Sequence, residues 1–153
     1  MSAEKITTVS PSTNKPVLER NGPTDEELSQ LPKKAQAAFL EWTRTALPGR
    51  QKIVKKALKL LADRQDELAQ ELTEQMGRPI SYTAKEITTA VARGEYMLKV
   101  SDEVLKDTSG EPEQGFRRYI RKMPLGPVLV IFAWNVCIDT IDSFPLFKNP
   151  MLI

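Results

Sequence analysis

Histidine is absent from all 153 residues, and cysteine occurs once, at Cys137. The first absence removes the commonest general base and the commonest metal ligand. The second excludes an internal disulfide. Serine–histidine hydrolysis and His/Cys metal centres therefore lie outside this chain's chemistry, and no metal site is expected. Net charge is also scarce: 22 basic against 20 acidic residues give +2, with the two signs interspersed. So small a field attracts neither nucleic acid nor an anionic membrane. Long apolar runs are lacking too, and Met1–Lys5 is polar, so neither a signal core nor a membrane span is expected and a reducing, cytoplasmic location is the default. What is present, 41% hydrophobic and 27% charged residues, suits one soluble domain with one core.

Two short β-prone runs, Ile6–Val9 and Val17–Arg20, flank the turn-forming segment Ser10–Pro16, a pattern that predicts a small hairpin. Thr24 followed by Glu27 is a capping-box pair. Leu28, Leu31, Ala35, Ala38, Phe39 and Trp42 then recur at helical spacing, predicting an amphipathic helix kinked near Pro32. Pro48-Gly49 breaks it. Ile53, Val54, Ala57, Leu58, Leu61, Leu68 and Leu72 carry the period onward to Met76-Gly77, where Gly77 suits a helix stop. A third helix is predicted from Ser81 to Asp107, with Ala84, Ile87, Val91, Leu98 and Leu105 inward and Lys85, Glu86, Lys99, Glu103 and Lys106 in solvent.

Thr108–Gln114 is rich in Ser, Gly, Pro and Glu and reads as a surface connection. Phe116–Lys122 has strand character. After Pro124-Leu125-Gly126-Pro127, the run Val128–Phe132 is continuously apolar, as a parallel strand covered on both faces would be. Helices followed by such a strand predict an α/β architecture whose sheet has only begun.

Several residues invite chemical readings that a plainer one outweighs. Glu74 and Glu86 could form an acid–base pair, but both fall in charged helical segments and are read as solvated or structural. Arg117, Arg118, Arg121 and Lys122 around Tyr119 resemble a nucleic-acid strand with an aromatic platform. The near-neutral whole argues against that partner. Cys137 is read as an incidental thiol, because no histidine exists to activate it.

The stretch Pro124-Leu125-Gly126-Pro127-Val128-Leu129-Val130-Ile131-Phe132-Ala133-Trp134-Asn135 closely resembles the strand and turn of the aldehyde dehydrogenase superfamily, Pro-x-Gly-x-x-x-x-Ile-x-Pro-Trp-Asn. Ala38, Trp42, Arg50, the Glu74-x-x-Gly77-Arg78-Pro79 stretch, Glu86 and Tyr96 match the same family in order, so the resemblance covers Ile6 to Asn135. Ala133 stands where the family usually has proline. The resemblance implies an incomplete Rossmann-like cofactor domain, and oxidation of an aldehyde to a carboxylic acid with NAD or NADP through a cysteine thiohemiacetal. It assigns Asn135 to the oxyanion hole and Ile131, Phe132, Ala133 and Trp134 to the wall against which the dinucleotide lies. It implies further that residues 116–123 resemble a strand of the oligomerisation sheet, a contact with dehydrogenase subunits. The family's cysteine nucleophile, its glutamate base and its phosphate-binding turn lie downstream of anything matched, so the chain alone is expected to be inactive.

On this reading residues 1–23 form an arm and hairpin, 24–107 the helical part of the cofactor domain, and 108–124 a connection and oligomerisation-type strand. Residues 125–135 form the first cofactor-domain strand with its Trp-Asn turn. The family pattern stops at Asn135, and 136–153 reads as a divergent tail. Val136-Cys137 can be encoded GTATGT, a common splice donor, which makes a retained intron or a gene-model error the expected origin of that tail. A truncated isoform that binds full-length subunits is the alternative. Lys148-Asn149-Pro150, in the tail, carries no assignment.

Overall fold

The computed structural model describes residues 4–130. Its first unit is the expected hairpin, in which β1 (Lys5–Val9) pairs antiparallel with β2 (Pro16–Asn21) from Lys5↔Asn21 to Val9↔Pro16. The connection closes through Ser10 N–H to Lys15 O (2.9 Å) and Asn14 N–H to Ser10 O (2.8 Å). Asn14 takes φ 55°, a left-handed conformation that asparagine tolerates. Both strands are almost wholly exposed, so the hairpin is held by its ladder and its turn, with Ser10 alone buried.

Helix α1 (Asp25–Thr43) starts on the predicted capping box. The Thr24 N–H donates to Glu27 Oε2 (2.8 Å), and the Glu27 N–H donates to Thr24 Oγ1 (3.2 Å). The helix runs through Pro32 unbroken and buries none of its residues.

The single helix expected from Ile53 to Met76 is two. Helix α2 (Leu47–Asp63) and helix α3 (Gln65–Met76) meet at Arg64, whose φ and ψ of −106° and 19° depart from helical values. Arg64 then clasps Glu67 in the first turn of α3 (Nε to Oε2 2.8 Å), and Asp66 and Glu67 put negative charge where the helix dipole favours it. Helix α4 (Ile80–Val104) is the backbone of the packing: α2 lays Val54 and Leu58 against it, and α3 lays Ala69 and Leu72. Ala69, Leu72, Ile87 and Ala90 form the core, with Leu68, Met76 and Ala84 around it.

The buried face of α4 is Thr83, Glu86, Ile87, Ala90, Gly94 and Ser101; of the predicted stripe Ile87 is buried and Ala84 packs against the core, and the rest of the buried face is made of other residues. Small side chains let the helices approach closely, and the hydroxyls are satisfied there. Thr73 Oγ1 meets Thr83 Oγ1 at 3.2 Å, and Gln51 Nε2 donates to Ser101 Oγ at 2.8 Å. Glu86, expected in solvent, is 4% exposed.

The connection after α4 also holds more order than expected. It contributes β3 (Thr108–Ser109), which pairs antiparallel with β4 (Tyr119–Ile120), the only part of Phe116–Lys122 that is strand. Val128–Val130, the described part of the expected buried strand, is in no ladder, and Leu129 is 85% exposed. Extended backbone becomes a strand only beside a neighbour, and the described residues place none there. No helix of the described residues is long and apolar enough to cross a membrane.

Candidate functional site

Asn135 and the wall residues Ile131, Phe132, Ala133 and Trp134 lie outside the described residues, as do Cys137 and Lys148-Asn149-Pro150. What is described is the approach to them. Pro124–Val130 leaves β4 without regular structure, and Gly126 turns it at φ 130°, a conformation open to glycine. The positive-φ glycines of this stretch, Gly115 and Gly126, are followed by no helix among the described residues. No group of three or more metal-ligating side chains occurs among them.

The carboxylates weighed as an acid–base pair are kept apart in role. Glu86 is buried and forms an ion pair with Arg78, reaching from α4 to the turn between α3 and α4. Glu74 is exposed and accepts from Gln70 Nε2 at 3.0 Å. Both therefore serve structure, although Glu86 does so from the interior. Arg78 lies in the turn between α3 and α4, outside both helices, so the helical period of α4 does not pair it with Glu86.

The basic cluster at β4 is engaged within the protein. Arg121 lies 4.9 Å and Arg117 5.6 Å from the Tyr119 ring centre. Arg121 also grips Asp107 with both nitrogens (Nε to Oδ1 3.0 Å, terminal N to Oδ2 2.7 Å), a fork that holds the Asp107 carboxyl below its ordinary range. Arg118 pairs with Glu113 and lies over Phe116, and Lys122 donates to the Val104 carbonyl. A cluster so committed to internal acids and rings closes the hairpin rather than presenting free cations.

A concavity lies between α2 and α4, a groove of about 1030 Å³ with Leu58, Ala62, Val91 and Leu98 among its lining. Lysines dominate its charge.

A model described as the aldehyde dehydrogenase family matches residues 1–141. The chain belongs to that family. Curated relatives include a 1-pyrroline-5-carboxylate dehydrogenase of Geobacillus thermodenitrificans, 32% identical over 141 residues, covering 88% of this chain and 26% of the relative. A succinate semialdehyde dehydrogenase [NAD(P)+] of Escherichia coli is 29% identical over 92% of this chain and 30% of its own length. Among solved structures, the HpcC of Thermus thermophilus superposes with a TM-score of 0.86 at 20% identity, over 97% of this chain and 29% of that one. Aldehyde dehydrogenase 21 of Physcomitrella patens superposes with a TM-score of 0.83 at 19% identity, over 95% and 32%. The described hairpin, helices and short strands are thus the amino-terminal part of the aldehyde dehydrogenase α/β fold. The chain spans roughly a quarter to a third of the length of these relatives, and the family match runs past Asn135 into the stretch read above as divergent.

Proposed function

We propose that this aldehyde dehydrogenase chain carries the oxyanion-binding strand of an enzyme oxidising aldehydes to carboxylic acids with NAD or NADP, and that by itself it is inactive. The observation carrying the reading is the family match over residues 1–141, which contains the Pro124–Asn135 motif. Asn135 donates its side-chain amide N–H to the oxygen that becomes anionic when a thiolate adds to the aldehyde carbonyl. Removing one such donor costs about 3 kcal/mol, a factor of about 10²–10³ in rate. By the same family pattern Ile131, Phe132, Ala133 and Trp134 would form the apolar wall for a dinucleotide, whose chemistry would be to accept hydride. With nucleophile, base and phosphate turn acting as one unit, a chain lacking them has no partial activity.

Two measurements test this. The purified chain should reduce neither NAD nor NADP with short aliphatic aldehydes, and reduction abolished by Cys137→Ala would overturn the claim of inactivity. Residues 1–135 grafted in place of the matching part of the E. coli relative should yield an active enzyme in which Asn135→Ala lowers kcat about 10²–10³-fold. An unchanged kcat would remove Asn135 from the oxyanion site.

A second reading, a non-catalytic form that associates with complete subunits through residues 116–123, draws support from β4. Its Ile120 is 69% exposed, and the edge of β4 away from β3 has no strand beside it among the described residues. Retention of a full-length dehydrogenase by the immobilised chain, lost on Ile120→Lys, tests it.

A further inference from the structure

We propose that Asn21-Gly22 is a self-modifying site, at which the Gly22 backbone nitrogen attacks the Asn21 side-chain amide and converts it to isoaspartate, and that the bond from Gly22 to Glu4 holds this reaction in check. Asn21 ends β2 and is exposed. The residue after it is glycine, whose missing side chain leaves the attacking nitrogen unhindered and lets the backbone turn towards the carboxamide. Asn14, the other asparagine among the described residues, precedes Lys15 and has no such neighbour.

In the folded hairpin the attacking nitrogen is engaged. Gly22 N–H donates to Glu4 O at 2.7 Å, beside the Lys5↔Asn21 pair. A Cβ on Gly22 would lie 3.2 Å from Glu4 O, so the two backbones meet closely there. While that bond stands, the nitrogen neither loses its proton nor turns onto the Asn21 side chain. The bond is also the last rung at its end of the hairpin among the described residues. Glu4 is exposed and lies outside β1, and both strands are almost wholly exposed, so the rung opens locally while the helices stay folded. Reaction proceeds through the open fraction, which one backbone hydrogen bond lowers by about two- to tenfold.

Once open, the Gly22 nitrogen gives its proton to hydroxide and bonds to the Asn21 side-chain carbonyl carbon. The bond from that carbon to the amide nitrogen breaks, and ammonia leaves with a proton taken from water. Water then opens the resulting cyclic imide at either carbonyl, giving aspartate, or isoaspartate in which the chain continues through the former side chain. Either product places a carboxylate opposite Lys5, which already pairs with Glu19 at 2.7 Å. Isoaspartate also adds a methylene to the backbone, which carries the Gly22 N–H out of line with Glu4 O and releases the start of β1.

The test is incubation of the full chain at mildly alkaline pH, then digestion and mass spectrometry of the peptide carrying Asn21, with a synthetic Arg20–Thr24 peptide as reference. Asn21 should be converted ahead of Asn14, and Asn21→Gln should remove the product. Relative to the reference peptide in the same solvent, conversion should be about two- to tenfold slower in buffer and equal in concentrated urea. Ile6→Pro, which places in β1 a residue unable to donate to the ladder, should raise the rate in buffer to that of the peptide with helicity by circular dichroism unchanged. If Ile6→Pro loses helicity, hydrogen exchange of the Gly22 amide in the unaltered chain replaces it, and its protection should equal the slowing. Purified isoaspartate chains should be cut by trypsin after Lys5 about two- to tenfold faster than unconverted ones. No conversion of Asn21 within about ten times the period the peptide needs, equal rates in the folded chain and the peptide, or unchanged cleavage after Lys5 would each overturn the proposal.

Discussion

Gly77 and Pro11 approach so closely that a Cβ built on the glycine would lie 2.6 Å from Pro11 Cγ. This contact joins the tip of the β1–β2 hairpin to the end of α3. Gly77 is also in the left-handed region, at φ 72°, where its N–H closes the helix on Thr73 O. Two independent reasons thus require glycine. Gly77→Ala should cost roughly 1–2 kcal/mol for the conformation and a further ~1 kcal/mol or more for displacing the hairpin tip. Thermal unfolding followed by circular dichroism measures it. Gly77→Ala combined with Pro11→Ala should recover the steric part only, and full recovery would mean the conformation carries no cost.

The Arg78–Glu86 pair is the second point at which the turn after α3 is tied to the core. Because Glu86 is buried while Arg78 is partly exposed, the two deletions are not equivalent. Arg78→Met strands a buried carboxylate and should cost about 3–5 kcal/mol, as removal of one partner of a buried pair does. Glu86→Gln keeps the volume and removes the charge, and should cost less. The double variant should be more stable than the sum of the singles predicts, as read from urea midpoints. Additive losses would show that the two groups do not interact.

How much of this was legible in the sequence can be judged at particular residues. The hairpin, the Thr24–Glu27 cap and the Gly77 stop are local devices, written in the residues that perform them, and each stands where it was expected. The break at Arg64 was not visible. Leu58 and Ala69 are eleven residues apart, close to three helical turns, so the apolar period continues in phase across the interruption. The buried stripe of α4 was placed only in part, because the rest of it is built from Thr83, Ala90, Gly94 and Ser101, small or polar residues that close approach selects and hydropathy undervalues. Glu86 was misjudged for a related reason: its partner lies beyond a turn, and a carboxylate without a visible partner defaults to solvent. The family of the site was legible through one contiguous motif, Pro124–Asn135, which needs no tertiary contact to be recognised.

Glu27 offers a titration that reports the cap directly. Its carboxyl is held below the ordinary value of 4.5, first by the Thr24 backbone N–H and then by the Thr24 hydroxyl. A carboxyl depressed in the folded state contributes stability above its unfolded pKa and loses it as pH falls through the folded one. The contribution should therefore be constant from neutral pH down to about 5 and vanish only in stronger acid. Thr24→Ala removes the hydroxyl but leaves the backbone donor, so carbon-detected NMR should find Glu27 titrating nearer 4.5 without reaching it. An unchanged titration would mean that the hydroxyl does not bond the carboxylate in solution.

The exposed run after Gly126 leads to the last expectation. Leu125 and Leu129 are each 85% exposed and Val128 48%, and the backbone of Val128–Val130 belongs to no ladder. Consecutive branched apolar residues with unpaired N–H and C=O groups are a template for pairing with another chain. At ~25 cal/mol per Å², covering even ~200 Å² between two such runs yields about 5 kcal/mol of association before entropic costs. Folding draws nothing from Leu129, so Leu129→Lys should alter unfolding stability by no more than ~0.5 kcal/mol. It should nevertheless raise the concentration at which light scattering detects aggregates, and Val130→Lys should act in the same direction. Leu58→Lys provides the contrast: the side chain is 3% exposed between α2 and α4, and an ammonium there should unfold the helices. A Leu129→Lys chain that melts several degrees lower, or aggregates as readily as before, would show that the run is already covered in solution.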